Sequence, residues 1–199
     1  MTSFYTDEEL LTIGFKSVGK GCKVSRNAKF YGMSNISMGD NVRIDDFCIV
    51  SGNVTLGSHI HISPYVALYG ALGIIMEDYT GISAHSVVYS AMDDFGGEYL
   101  VGSVHPAELT NVTGGLVRIK KFSQIGVNCV VFPNLTIEEG VAVGACSLIT
   151  KSLSPWGIYV GTPVKRLKDR KNNMIQLVNN QMRGGKIILL SVMRYSLAS

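Results

Sequence analysis

The sequence has little charge and no long hydrophobic run. Charged residues make up 17% of its 199 positions, and the formal net charge is +3 without a long basic segment. A chain that is 46% hydrophobic with so few charges is expected to fold, and a nucleic-acid partner is not indicated. The longest apolar stretch, 187–193, is interrupted by Ser191 and is much shorter than a membrane span. No transmembrane helix is therefore predicted.

The sequence also predicts neither a cysteine motif nor a secretory signal. Its four cysteines show no CxxC spacing, so neither a zinc site nor a thioredoxin-like motif is indicated, and reduced thiols are expected. The first ten residues contain no basic region followed by an apolar one, which predicts a cytoplasmic protein. No metal ion is expected.

An internal repeat of six residues dominates the rest of the sequence. Positions six apart lie on opposite faces of an α-helix, so the repeat excludes helices from this region. A protein built of antiparallel hairpins would alternate apolar and polar residues over longer strands, and the six-residue repeat does not fit that pattern either. The large apolar residues of the repeat are Val18, Val24, Phe30, Met38, Ile44, Val50, Leu56, Ile62, Leu68, Met76, Ile82, Val88, Ile119, Ile125, Val131, Ile137, Val143 and Ile149.

A second apolar or small residue follows four positions later in many of these hexads, as at Val42, Cys48 and Val54. Each hexad therefore places two residues on one side, which predicts a short strand followed by a bend. Residues such as Gly39, Asp40 and Asn41 tolerate the left-handed backbone angles of a bend. Three hexads would form one triangular coil, so eighteen hexads predict about six stacked coils of a parallel β-helix.

The hexads resemble those of the hexapeptide-repeat acyltransferases. The similarity is carried by segments such as Met38-Gly-Asp-Asn-Val-Arg, Leu56-Gly-Ser-His-Ile-His and Ile125-Gly-Val-Asn-Cys-Val, and by the exit segment from Trp156 to Lys165. This resemblance implies a left-handed β-helix, a homotrimer with active sites between subunits, and coenzyme A as the acyl carrier. The fold class is therefore all-β.

Three regions are expected along the chain: an N-terminal helical cap at 1–17, the β-helix at 18–162 with an inserted loop at about 91–116, and a C-terminal helix and tail at 163–199. Thr6 and Glu9 form a capping-box pattern for a short first helix. Pro163 can begin a second helix, with Leu167, Ile175, Val178 and Met182 at roughly helical spacing.

The inserted loop carries the strongest candidates for catalysis, because loops on rigid scaffolds often hold functional groups. Where the sugar O-acetyltransferases of this superfamily have a catalytic histidine, this chain has Asp93. The pattern Asp93, Asp94, Glu98, Tyr99 resembles the N-acyltransferases of nucleotide-linked amino sugars, including 4-amino-4,6-dideoxy sugars. An unprotonated amine is already nucleophilic, so carboxylates suffice to orient it and take up its proton.

The resemblance thus predicts an acetyl-CoA-dependent N-acetyltransferase acting on a nucleotide-linked amino sugar, for a bacterial surface polysaccharide such as O-antigen. An O-acetyltransferase that uses His105 as its base is the alternative. A zinc-dependent carbonic anhydrase would need three converging histidines, whose paired spacing is missing here. A non-catalytic assembly scaffold also stays open.

Further site residues follow from the resemblance and from the hexad positions. Coenzyme A is expected along the later coils and near the exit segment, at Gly126, Gly144, Ala145, Ser147, Lys151, Thr162, Pro163, Lys165 and Arg166. The candidate substrate contacts are Arg43, Tyr65, Tyr69, His85 and Tyr89. Cys22, Cys48 and Cys129 fall at inner positions, so packing is favoured over nucleophilic catalysis.

Overall fold

A computed structural model describes residues 3–182 of the chain. Two α-helices flank the strands: α1 is Asp7–Thr12 and α2 is Met174–Met182. The strands in chain order are β1 (Ser17–Val18), β2 (Lys23–Val24), β3 (Lys29–Tyr31), β4 (Ile36–Met38), β5 (Arg43–Ile44), β6 (Ile49–Leu56), β7 (His61–Ile62), β8 (Ala67–Met76), β9 (Gly81–Ile82), β10 (Val87–Tyr89), β11 (Ala91–Asp93), β12 (Val112–Gly114), β13 (Val117–Ile119), β14 (Gln124–Ile125), β15 (Val130–Val131), β16 (Leu135–Ile137), β17 (Ala142–Val143), β18 (Leu148–Ile149), β19 (Gly157–Val160) and β20 (Lys165–Asp169).

The strands stack in parallel as three faces of a triangular prism, and the chain forms a left-handed parallel β-helix. Face A contains β1, β4, the end of β6, the end of β8, β13 and β16. Face B contains β2, β5, β7, β9, β14, β17 and β19. Face C contains β3, the start of β6, the start of β8, β10, β15 and β18. The six-residue period therefore predicted the parallel β-helix, and the family resemblance implied its handedness.

The repeat residues form the core of this prism. Ile44, Ile62 and Leu68 are 0% exposed, and the second inner set is buried as well, with Val42 and Cys48 both at 0%. Each coil thus contributes apolar side chains to one continuous internal column, which is the main source of stability for a repeat protein.

The bends follow the expectation of glycine, asparagine and aspartate only in part: Asn41 has a φ of 55°, as expected, but other residue types also supply bends. Several bulky residues adopt positive φ there, including Tyr79 at 60° and Phe122 at 62°. A left-handed backbone costs roughly 1–2 kcal/mol for a residue with a Cβ. The rings stack along the prism edge between faces A and B, with 4.7 Å between His59 and Tyr79 and 5.3 Å between Tyr79 and Phe122. This stacking offsets part of the backbone cost.

The first helix is as predicted. Thr6 accepts a hydrogen bond from the Glu9 amide, and the Glu9 side chain accepts one from the Thr6 amide, which is the capping box. Leu10 is 2% exposed and belongs to the core, so α1 packs on the first coils.

The C-terminal helix begins at Met174, so the prediction that a helix starts at Pro163 is wrong. Residues Lys165–Asp169 instead form β20, which pairs antiparallel with β19. The last coil would otherwise expose unpaired backbone groups, and this strand covers part of that edge. Leu167, which had been assigned to the helix, is 61% exposed. The predicted tail at 186–199 lies outside the described residues.

Candidate functional site

The inserted loop leaves the prism at the edge between faces C and A. Its two ends pair antiparallel as β11 and β12, with Ala91 opposite Gly114 and Asp93 opposite Val112. The buried Ser90 anchors its base, since its hydroxyl donates to the Tyr69 carbonyl and accepts from the Leu72 amide. The carboxylates at the start of the loop are thus held by a rigid pair of strands.

Asp93 and Asp94 differ in their hydrogen bonding. Asp94 accepts from the Gly96 amide at 2.7 Å and from the Asn111 side chain at 3.1 Å, so both of its oxygens stabilise the loop. No side-chain hydrogen bond is made by Asp93 within residues 3–182, and it is half-buried. Asp93 is therefore the carboxylate with free hydrogen-bonding capacity for a ligand.

A cleft of about 470 Å³ lies beside Asp93. Its lining includes Asp94, Phe95 and the Phe132-Pro133-Asn134 bend of the next coil. Glu98 and His105 are exposed and do not line this cleft. The structure therefore brings Asp93 and Asp94 together and leaves the other two predicted catalytic residues apart from them.

A second polar cavity, of about 350 Å³, lies on face B. Its lining includes Arg43, His59, His61, Ser83 and Gln124. Of these, only Arg43 was predicted to bind substrate.

Beneath this cavity the nearly buried Asp45 joins two of the lining residues. One oxygen of Asp45 accepts from Arg43 Nε at 2.7 Å, and the other lies 2.6 Å from His61 Nε2. Burial raises the pKa of Asp45, but the hydrogen bonds from His61 and Arg43 outweigh it and hold the pKa below its usual range. Asp45 is thus ionised near neutral pH.

Small residues continue along face B above this cluster. The position after each inward residue is Ser63, Ser83, Gly126 and Gly144 in successive coils. Ser63 and Ser83 line the cavity. Gly126 and Gly144 were predicted to contact coenzyme A, and they continue the same column, where a Cβ would lie 2.8 Å from the Ala145 amide and 2.7 Å from the Val160 side chain.

The cleft of Asp93 and the cavity of Ser83 lie on opposite sides of one chain. The loop leaves at the edge between faces C and A, and face B is the side of the triangle opposite that edge. A ligand cannot contact both groups within a single copy.

The remaining predicted substrate residues occupy other parts of the prism. Tyr65 stacks on His85 at 4.7 Å along the edge between faces B and C, where Phe47 also stacks on Tyr65. Tyr69 and Tyr89 stack at 5.3 Å on face C. These four predicted residues therefore belong to two separate ring columns.

The predicted coenzyme residues at the end of the repeat divide into surface and internal groups. Lys151, Lys165 and Arg166 line a common cleft of about 490 Å³. Arg166 also donates to Asp169 at 2.8 Å and to the Tyr159 hydroxyl at 3.0 Å, so it joins β20 to β19.

Thr162, Pro163 and Ala145 are exposed, whereas Ser147 is not. Ser147 is 2% exposed, and its hydroxyl donates to the Gly144 carbonyl and accepts from the Gly161 amide. Its side chain therefore stabilises the turn, and the predicted coenzyme contact at Ser147 is left to its backbone.

Within residues 3–182, no group of three or more histidine, cysteine or acidic residues could hold a metal ion. In the same range, no helix has the length and hydropathy needed to cross a bilayer.

Burial raises the pKa of the Cys48 thiol to about 11, which keeps it protonated and supports a packing role.

Comparisons with known proteins identify the family. No protein-family model matches the chain. A dTDP-4-amino-4,6-dideoxy-D-glucose acyltransferase from Escherichia coli is 38% identical over 177 residues, which cover 87% of this chain and 92% of that one. The chain belongs to the hexapeptide-repeat acyltransferases.

Solved structures agree with this membership. A serine-to-threonine mutant of AntD, an N-acyltransferase from Bacillus cereus, was solved with dTDP and coenzyme A and superposes on this acyltransferase with a TM-score of 0.90 and 49% identity, covering 92% of this chain and 99% of that one. AntD has also been solved with dTDP-4-amino-4,6-dideoxyglucose and with 3-hydroxybutyryl-CoA. A maltose O-acetyltransferase from Clostridium difficile shares only the fold, with 24% identity and a TM-score of 0.54 over 83% of this chain and 75% of its own. An acyl-CoA donor, predicted from the sequence, is supported.

Proposed function

We propose that this acyltransferase transfers an acyl group from coenzyme A to the amino group of a dTDP-linked 4-amino-4,6-dideoxy sugar. The observation that carries the proposal is the half-buried Asp93 carboxylate, which has no protein hydrogen-bond partner within the described residues. A carboxylate accepts hydrogen bonds from the N–H groups of an amine and can hold it for attack on the thioester.

The variants of AntD solved with nucleotide ligands support this assignment. They replace one serine or one aspartate, ten positions apart in that chain. This chain has the same spacing between Ser83 and Asp93, while Ala84 precedes Asp94 by the same interval. The comparison therefore favours Asp93 over Asp94 as the group that orients the amine, and it adds Ser83, which the sequence predictions did not include.

Face B is the proposed position of the acyl donor. The pantetheine arm of coenzyme A is narrow, and the small residues Ser63, Ser83, Gly126 and Gly144 form one column along this face. Backbone amides at the bends are donors that could stabilise the oxyanion of the tetrahedral intermediate. The thioester would then lie next to Ser83. The acyl group can be acetyl, as predicted, or larger, as in the 3-hydroxybutyryl-CoA complex of AntD.

The opposite placement of Asp93 and Ser83 supports a homotrimer. In a ring of three copies, the loop edge of one prism can contact face B of the next, so that each site uses Asp93 from one copy and Ser83 from its neighbour. Light scattering checks the assembly: a mass of three chains is expected, and a monomeric active enzyme would contradict it.

We also infer that the enzyme acts in the cytoplasm, where coenzyme A thioesters and nucleotide-linked sugars are made. Its product would supply surface polysaccharide such as O-antigen. Cell fractionation tests the location. Recovery of the activity outside the cytoplasmic fraction would contradict this inference.

The choice of acceptor atom is tested with two matched sugars, dTDP-4-amino-4,6-dideoxyglucose and its 4-hydroxy analogue. Thiol release from acetyl-CoA is expected with the amine and not with the alcohol. His105→Ala should retain activity, because His105 is exposed and lies outside the Asp93 cleft. Transfer to the alcohol that depends on His105 would instead establish the O-acetyltransferase alternative.

A further inference from the structure

The Asp45 carboxylate is placed to fix the orientation of a histidine on face B. Asp45 is 7% exposed, and each of its oxygens has a partner, Arg43 on one side and His61 on the other. The histidine lies one coil above, so the contact joins residues 16 positions apart through the stacking register. Both partners of Asp45 also line the cavity that contains Ser83.

This geometry determines which nitrogen of His61 carries the proton. An ionised carboxylate only accepts hydrogen bonds, so the nitrogen that contacts it, Nε2, must be a donor. In the neutral ring Nδ1 is then an acceptor. No described residue hydrogen-bonds to Nδ1, and the His61 side chain is 53% exposed. The second nitrogen is therefore available to a ligand in the cavity.

The other ion pairs on the prism faces do not share these features. Lys120 pairs with Glu138 at 2.7 Å and Arg118 with Glu77 at 3.5 Å, on face A. Neither pair includes a histidine, and neither lines the cavity of Ser83. The Asp45–His61 pair combines a nearly buried carboxylate, an oriented imidazole and an open cavity, which is the arrangement used for general base catalysis.

Resting on the function proposed above, we propose that His61 accepts the proton of the substrate amine and that Asp45 is its positioning residue. In this step the amine nitrogen attacks the thioester carbonyl carbon, a C–N bond forms and the C–S bond breaks. The amine proton passes to His61 Nδ1 and then to the departing sulfur, which leaves as the thiol of coenzyme A. Asp93 of the neighbouring copy orients the amine, so that the two groups have separate roles.

Two substitutions and their combination test this proposal on the full-length enzyme. His61→Gln removes the acceptor and should lower kcat by ~10²-fold or more, the usual contribution of a general base, while KM for the nucleotide sugar changes little. Asp45→Asn presents an amide N–H to the ring, which favours the opposite tautomer and should lower kcat to a similar extent. Because Asp45 acts through His61, the double variant should be no slower than His61→Gln.

Asp46→Asn is the matched control. Asp46 is the next residue and accepts a hydrogen bond from Ser25, but it does not line the cavity. This variant should retain the kcat of the parent enzyme. Melting temperatures of all variants are measured in parallel, and His61→Gln, whose side chain is half exposed, tests the proposal even if Asp45→Asn folds poorly.

The outcomes separate this proposal from the function on which it rests. A parent enzyme that releases no thiol with any amine overturns both. A parent enzyme that is active, with a kcat for His61→Gln within about threefold of its own, overturns only the role of His61. A positioning role for Asp45 would likewise be contradicted if the fold-losses in kcat of the two single variants multiplied in the double variant. A change in KM alone would contradict it too.

Discussion

The contact between Gly140 and Trp156 gives a sharp test of how the last coils stack. Gly140 has a φ of 69°, and a Cβ at this position would overlap the ring of Trp156. The indole lies at the end of the ring column, 6.4 Å from Phe122, and occupies the space that a side chain at 140 would need. Gly140→Ala should therefore introduce both backbone strain and a steric clash.

The two effects can be separated with a second substitution. The left-handed backbone costs alanine roughly 1–2 kcal/mol, and overpacking adds roughly 1–3 kcal/mol. In a Trp156→Ala background the ring is gone, so Gly140→Ala should cost only the backbone component. Urea unfolding of the four variants is expected to give a coupling energy of about 1–3 kcal/mol. Additive losses would refute the stacking of Trp156 over Gly140.

Three further predictions follow from the burial and charge of individual residues. Ile62→Ala should destabilise the fold by about 2–5 kcal/mol in urea unfolding, because Ile62 is 0% exposed. At pH 8 a thiol reagent should label exposed Cys146 and leave native Cys48 unmodified, since burial raises the pKa of Cys48 to about 11. The pKa of Asp45 is lowered in the folded state, so its stabilisation is present above its unfolded pKa of about 3.9 and is lost as pH falls through the lower folded value. Asp45→Asn should thus lower the melting temperature at pH 7, with the difference from the parent closing in acid.

Each of these predictions has a contrary result. A cost below about 1 kcal/mol for Ile62→Ala would place that side chain outside the core. Rapid labelling of Cys48 without unfolding would show an open structure around its coil. A constant difference between Asp45→Asn and its parent from pH 7 down to pH 2 would mean that the carboxylate charge does not contribute to stability.

The fold could be predicted from the sequence because each coil repeats the same physical requirement. Two inward side chains per hexad must be apolar, as at Met38 and Val42, and this requirement leaves a period that no helix can share. The end of the repeat lacked such a constraint. Lys165–Asp169 is exposed along its whole length, so nothing in its apolar pattern distinguished an edge strand from a helix.

The loop carboxylates could be identified from the resemblance, whereas the face B cluster could not. Asp93 and Asp94 stand out in a local motif, but Asp45 and His61 meet only because one coil stacks on the next. An alignment of the stacked coils by their inward residues would have placed Asp45 just after, and His61 just before, the aligned residues Ile44 and Ile62. The proposed division of the site between opposite sides of the chain rests on the triangular cross-section, which no local motif contains.

The most direct test of the central claim is complementation between two inactive variants, Ser83→Ala and Asp93→Asn. The two chains are co-expressed with different affinity tags, and assemblies that carry both tags are assayed for thiol release with acetyl-CoA and dTDP-4-amino-4,6-dideoxyglucose. If each site combines face B of one copy with the loop of its neighbour, the mixed assemblies contain intact sites and regain activity that neither variant has alone. Mixed assemblies as inactive as their parents would contradict a site shared between copies.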